Sequence, residues 1–293
     1  MRMVIIATTA AVFSSPAFVQ GVSQGTASIP DFSGIWRHPS LPGFEPPASG
    51  PRPVTNRSRR NGVSNLNQLV GDYTNPILKP ETAEVVKRHG ETSLKGIGYP
   101  TPSNQCWPTP VPYIFFHFGM LMLQQSDRIT ILYDQDHEIR HVRLNKPHAA
   151  HVVPSWYGDS VGHYEDDTLV IDTVGVKADR PFAMIDWYGT PYTNALHVVE
   201  RYRLIDYEAA KEGLERDAKE NQPFPGIRDP NYRGKHLQLN FTVEDEGVFT
   251  MPWSATITYG RCTNDWGEDA CAENVQWYPG KNAAVPQADG PDF

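Results

Sequence analysis

The chain lacks the glycine patterns of the common organic-cofactor sites. No G-x-G-x-x-G follows a predicted strand and no phosphate loop occurs. No C-x-x-C pair exists, which argues against zinc. Positive charge is scarce as well: 26 Lys and Arg stand against 34 Asp and Glu, a net charge of −8. The basic clusters, Arg57 with Arg59-Arg60 and Lys87-Arg88, are short and local. Nucleic acid and anionic membrane both require a basic face, so neither is an expected partner. With 26 prolines and 23 glycines, long helices should be few.

What is present suits a β domain. Hydrophobic residues at 39% supply a substantial core, and 293 residues allow one large domain. Arg2, the apolar run Met3 to Phe13 and small residues around Ser15-Pro16-Ala17 read as a signal peptide over residues 1–21, and hence export to a periplasm or beyond. Val19-Gln20-Gly21 offers a second cleavage point, and a disordered arm is the plainer alternative. The three cysteines, Cys106, Cys262 and Cys271, leave one over if a single disulfide forms. Cys262–Cys271 would close a hairpin end, and Cys106–Cys271 a far longer loop. Composition alone leaves both open.

Along the chain, a proline-rich extended arm is expected over 22–61, a single β domain over 62–279 and a disordered tail over 280–293. Pro80 to His89 carries a helix signature, and Tyr207 to Asn221 reads as a charged helix weakened by Gly213. Strands are predicted at Tyr113 to Gln124, Arg128 to Tyr133, Glu138 to Leu144, Thr168 to Val174, Ala195 to Leu204, His236 to Val243 and Val248 to Tyr259. Short turns between the first three favour an antiparallel meander there. The fold class is therefore mainly β, an antiparallel barrel or sandwich with a few short helices.

Ionisable and aromatic residues crowd the stretch from Pro147 to Asp206. The two-residue strand period puts His197, Arg201 and Arg203 on one face, and Glu200 with Tyr202 on the other. Glu200 reads as half of a structural ion pair, and Asp172 as another carboxylate within an apolar strand. His148 and His151, three apart, would bind metal only with a third ligand such as His163, which nothing supplies. Asp186-Trp187-Tyr188 lies in a Gly/Pro loop, as substrate-contacting aromatics often do. Gly158-Asp159-Ser160-Val161-Gly162 fits the G-x-S-x-G nucleophile elbow, with Asp172 or Asp186 and His197 as conceivable partners of Ser160. A turn and then a strand, rather than a helix, are expected after it, so a tight bend is the simpler reading.

Two resemblances bear on this. Gly34-Ile35-Trp36 resembles the G-x-W that opens lipocalin-like barrels, with Arg261 placed to meet the tryptophan. The run SWYGDSVGHYEDDTLVIDTVGV with ALHVVERYRLID resembles a broad family of secreted bacterial proteins that share DFSGIW, a cysteine followed by prolines, D-G-R-P-H and C-x-E-N. It spans roughly residues 31 to 278. Cys271-Ala272-Glu273-Asn274 matches the last element, so the resemblance implies Cys106–Cys271. The chain departs from it at Leu144-Asn145-Lys146, where D-G-R would stand, and at Tyr164-Glu165-Asp166 in place of W-E-G. The resemblance implies secretion and a β fold and names no activity.

The expected function is an acid–base enzyme (lyase, dehydratase or isomerase) acting on a small aromatic or sugar-derived molecule. His148, Asp159, His163, Asp186, His197 and Arg201 are the catalytic candidates, and Tyr157, Trp187 and Tyr192 the substrate contacts. Neither metal nor cofactor is called for. The partner is a small molecule, with homo-oligomer formation left open. A lipocalin-like carrier and a Ser160 hydrolase are the alternatives.

Overall fold

Burial alternates residue by residue along most strands, and that alternation curls the sheet around one core. In the computed structural model, the structure describes residues 29–262 apart from 40, 60–62, 66, 97, 181, 221–228 and 230, together with Cys271. The expected signal peptide and tail lie outside the described residues.

Nine strands among the described residues close into a barrel in sequence order. They are β1 (Gly34–Arg37), β2 (Gly119–Gln124), β3 (Arg128–Tyr133), β4 (Ile139–Leu144), β5 (Asp159–Glu165), β6 (Thr168–Val174), β7 (His197–Ile205), β8 (His236–Glu244) and β9 (Trp253–Cys262). The two α-helices described are α1 (Pro80–Leu94) and α2 (Tyr207–Glu220). Every neighbouring pair is antiparallel except β4 and β5, where Val142 stands opposite Ser160 in a parallel ladder. The meander expected over residues 113–144 is present as β2–β3–β4, and the parallel step falls at β5, a strand not expected there. A parallel step needs a long crossover, and residues 145–158 supply it, carrying His148 onto the outer wall.

Three further expectations are corrected. Gly158 makes the predicted bend at φ +71°, but the next seven residues form β5 rather than more turn. Tyr113–Phe116 is a 3₁₀ turn, and only Gly119–Gln124 of that run is strand. A continuous apolar run does not by itself distinguish strand from buried turn. Finally, the proline-rich arm contributes β1, which pairs with β2 and β9 and closes the barrel.

The interior is filled. Met122, Ile131, Val142, Ile171, Leu239 and Ile257 are buried between the walls. The end where β8 finishes and β9 begins is capped by Phe44, stacked on Phe116 at 3.8 Å and edge-on to Phe241 at 4.9 Å. Each such buried ring or aliphatic contributes about 1.5–3 kcal/mol, so packing rather than polar contacts holds the barrel.

At the closure, Gly34 adopts φ +125°, and a Cβ there would collide with the Arg261 guanidinium. That guanidinium lies 4.7 Å from the Trp36 ring and donates to the Ser33 carbonyl at 2.7 Å. The disulfide joins Cys106 to Cys271, 165 residues apart, and leaves Cys262 buried in β9.

Candidate functional site

Outward-facing positions of β4 to β8 assemble a chain of charged groups near the capped end. Arg143 grips Asp159 through both terminal nitrogens, at 2.6 and 3.1 Å. Asp159 Oδ2 lies 3.0 Å from His148 Nδ1, and His148 Nε2 lies 3.1 Å from Asp172 Oδ1. The same oxygen of Asp172 is 3.0 Å from His197 Nε2, and His197 Nδ1 is 3.7 Å from Glu244. Two imidazoles thus converge on one carboxylate oxygen. A neutral imidazole donates through one nitrogen only, so His148 satisfies both carboxylates only in its protonated form.

The charges tune one another. Burial raises the Asp159 carboxyl, but hydrogen bonds from Arg143, His148 and the Ala149 amide outweigh it and bring it to about 2. Asp172 is lowered, chiefly by its hydrogen bond with His197. His197 is raised, chiefly by that same bond, with Glu244 adding to it. Beside His197 opens a depression of about 410 Å³, walled by Ala195, Glu244, Asp245, Phe249 and Met251. Asp245 is committed to the loop itself, accepting from the Thr193 amide and hydroxyl at 2.6 and 2.7 Å.

The structure therefore unites three of the candidates, His148, Asp159 and His197, with Asp172. The others go elsewhere. His163 lies 3.0 Å from Glu165, which also pairs with Arg201. These side chains are about half exposed, and such pairs contribute little. Arg201 shares a face with His197 as expected, but four residues along a strand is about 13 Å, too far to share a pocket. Asp186 is buried rather than displayed on a loop. It accepts from the Tyr188 and Thr190 amides at 2.9 and 3.0 Å, and burial lifts it to about 6. Trp187 donates to the Leu41 carbonyl at 3.0 Å, and Tyr188 to that of Pro42, so this loop anchors the cap. The exposed substrate-contact reading of that loop is corrected, because the aromatics pack against the arm.

Ser160 points into the barrel at 4% exposure, 3.0 Å from both Arg140 Nε and Thr173 Oγ1. His197 and Asp172 face outward on the far side of the same wall, and Asp186 is occupied by the cap. None of the partners named for the nucleophile-elbow reading, His197, Asp172 or Asp186, meets Ser160.

Sequence reasoning missed Arg140. Its guanidinium meets Glu200 at 2.6 and 3.0 Å inside the barrel, with Tyr202 donating to Glu200 at 2.8 Å. The signal was there, since Arg140 shares the inward parity of Val142 and Leu144. Also missed was a second polar group around Glu138, which accepts from the Thr109 amide and hydroxyl at 2.9 and 2.6 Å. Burial raises Glu138 to about 7, and it stands near Tyr157, whose hydroxyl burial also raises. Tyr192 is buried and donates to the Lys177 carbonyl at 3.0 Å.

No family model, curated protein or solved structure matches this chain. The chemistry must be read from its own side chains. Among the described residues, no set of three or more His, Cys, Asp or Glu is arranged to hold a metal ion.

Proposed function

We propose that this protein is an acid–base enzyme of lyase or isomerase type whose proton donor is His197. One observation carries the reading: His197 borders a depression while its Nε2 is fixed on Asp172, a carboxylate shared with His148. Asp172 fixes the ring orientation and favours the imidazolium, as a general acid requires. Glu244, 3.7 Å from the other ring nitrogen and half exposed, is placed to accept a substrate C–H proton. In an elimination, Glu244 takes that proton while His197 gives one to the departing hydroxyl, which leaves as water. Transfer from Glu244 to His197 then restores both groups. Phe249, Met251 and Pro252 offer an apolar wall, and Glu244 and Glu246 disfavour anions. An uncharged hydroxylated molecule, sugar-derived or aromatic, suits these surroundings. The disulfide supports export to an oxidising compartment.

The test is solvent exchange. Incubation in D₂O with panels of ketoses, aldonolactones and hydroxylated aromatic alcohols, followed by ¹H NMR, should show deuterium entering one class. His197→Gln should slow that exchange by about 100-fold or more. No exchange by the native protein, or equal exchange by the variant, sinks the reading.

A further inference from the structure

Helix α2 lies beside the N-terminal arm, and two ion pairs of opposite polarity join them. Arg216 of α2 pairs with Glu45 of the arm, and Glu220 of α2 pairs with Arg59. Arg216 and Glu220 are four residues apart, so one face of the helix presents a cation and an anion about a turn from each other. Ser64 ties into the second pair: its amide donates to Glu220 at 3.0 Å, and Arg59 donates to its hydroxyl at 3.1 Å. Between helix, arm and β9 a cavity of about 310 Å³ opens, bordered by all four charged side chains. They are 13 to 39% exposed, so their polar edges reach a ligand there.

The walls select by chemistry. Leu41, Phe44 and Ile257 border the cavity but are buried by their own packing. A ligand instead meets the ion-paired heads and aliphatic stems of the side chains above them, with the ring of Pro46. Burial raises the Glu45 carboxyl while Arg216 lowers it, so this pair sits where water is partly excluded and a hydrogen bond to it gains strength. Each guanidinium already has its carboxylate. A charged ligand would have to draw one member away from its partner. Glu45, Asp217 and Glu220 also outnumber Arg59 and Arg216 around the cavity, which disfavours anions further. A hydroxyl joins a pair without separating it, because it donates to the carboxylate and accepts from the guanidinium.

We propose that this cavity binds a neutral polyol the size of a monosaccharide. Hydroxyls at one end of the molecule bridge Glu45 and Arg216, those at the other bridge Arg59 and Glu220, and the C–H face lies on Pro46 and the aliphatic stems. A volume of about 310 Å³ is within the range of small-molecule sites. The site shares no residue with the depression beside His197, so it stands or falls independently of the acid–base reading.

The neutral probes are D-glucose, D-galactose, D-mannose, D-xylose and myo-inositol, followed by saturation-transfer NMR and titration calorimetry on the full chain. D-glucuronate is the charged match, and cyclohexanol the match without neighbouring hydroxyls. At least one neutral probe should bind saturably, and at least about tenfold more tightly than glucuronate or cyclohexanol. Arg216→Gln and Arg59→Gln should each weaken it by about tenfold or more, whereas His197→Gln should leave its affinity unchanged. Near-UV circular dichroism establishes that each variant is folded. Hydrogen exchange of the native protein should slow on binding across residues 207–220 of α2 and not across 244–252 beside His197. Where a variant fails to fold, that exchange pattern decides. No saturable binding by any neutral probe, equal binding of glucuronate or cyclohexanol, native affinity in either folded arginine variant, or protection confined to 244–252 overturns the proposal.

Discussion

Arg140 and Glu200 meet through two hydrogen bonds, at 2.6 and 3.0 Å, inside a barrel where neither side chain exceeds 2% exposure. They stand on β4 and β7, three strands apart along the wall, and so brace it across the interior. Thr173, Ser160, Tyr133 and Tyr202 satisfy the remaining donors and acceptors. Removing one partner leaves a buried charge alone. Glu200→Gln should therefore lower unfolding free energy by about 3–5 kcal/mol in urea titration. Arg140→Met combined with Glu200→Leu should recover most of that loss. A single variant within about 1 kcal/mol of native would show the pair to be dispensable.

The His197 contact makes a pH prediction. Its folded pKa is raised above the unfolded value, so its contribution is fully present below about 6.5 and is lost as pH rises through the folded value. Asp172 acts in the opposite sense: lowered in the folded state, it contributes above about 3.9 and loses this as pH falls through its folded value. His197→Gln should remove the alkaline-side decline, measured as Tm across pH 6 to 9. A decline of native size in that variant would place its origin elsewhere.

Glu138 makes a separate one. Burial lifts it from 4.5 to about 7, so between those values the folded protein holds a proton that the unfolded chain has released. Stability should then fall as pH rises through this window. Asp186, lifted from 3.8 to about 6, adds a fall of the same sign at lower pH. Glu138→Gln should flatten the upper part of the decline in denaturant titrations at pH 5, 6, 7 and 8. An unchanged slope between pH 6 and 7 would mean that Glu138 is already ionised there.

Gly34 tests the barrel closure. At φ +125° a side chain is strained, and a Cβ would displace Arg261 from the Trp36 ring. Gly34→Ala should cost about 1–3 kcal/mol of stability, with a change in tryptophan fluorescence. Arg261→Lys in the native background should give a smaller loss, since the planar stack is lost but the charge remains. A fully stable Gly34→Ala would show that the strand can relax.

Much was legible in the residues themselves. Strict alternation over residues 197–204 assigned those side chains of β7 to the correct face, because a strand has no other way to point them. The mainly β class followed from strand runs punctuated by short turns. The parallel β4–β5 step was not legible, because hydrogen-bonding direction leaves no mark on an apolar pattern. Nor was the fate of Asp186-Trp187-Tyr188, where a Gly/Pro loop became a buried anchor only because the N-terminal arm lies across it.

The sequence by itself determined the local quantities: which residues alternate in and out, and which stretch concentrates imidazoles and carboxylates. Tertiary structure alone decided the pairings. His148, Asp159, Asp172 and His197 share one chain of contacts because a parallel crossover and neighbouring strands bring separated segments onto one outer wall. Arg201, two strand repeats from His197, is left to Glu165. Side-chain direction is a property of a few consecutive residues, whereas partnership depends on which strands become neighbours, and that is settled only when the whole barrel closes around its core.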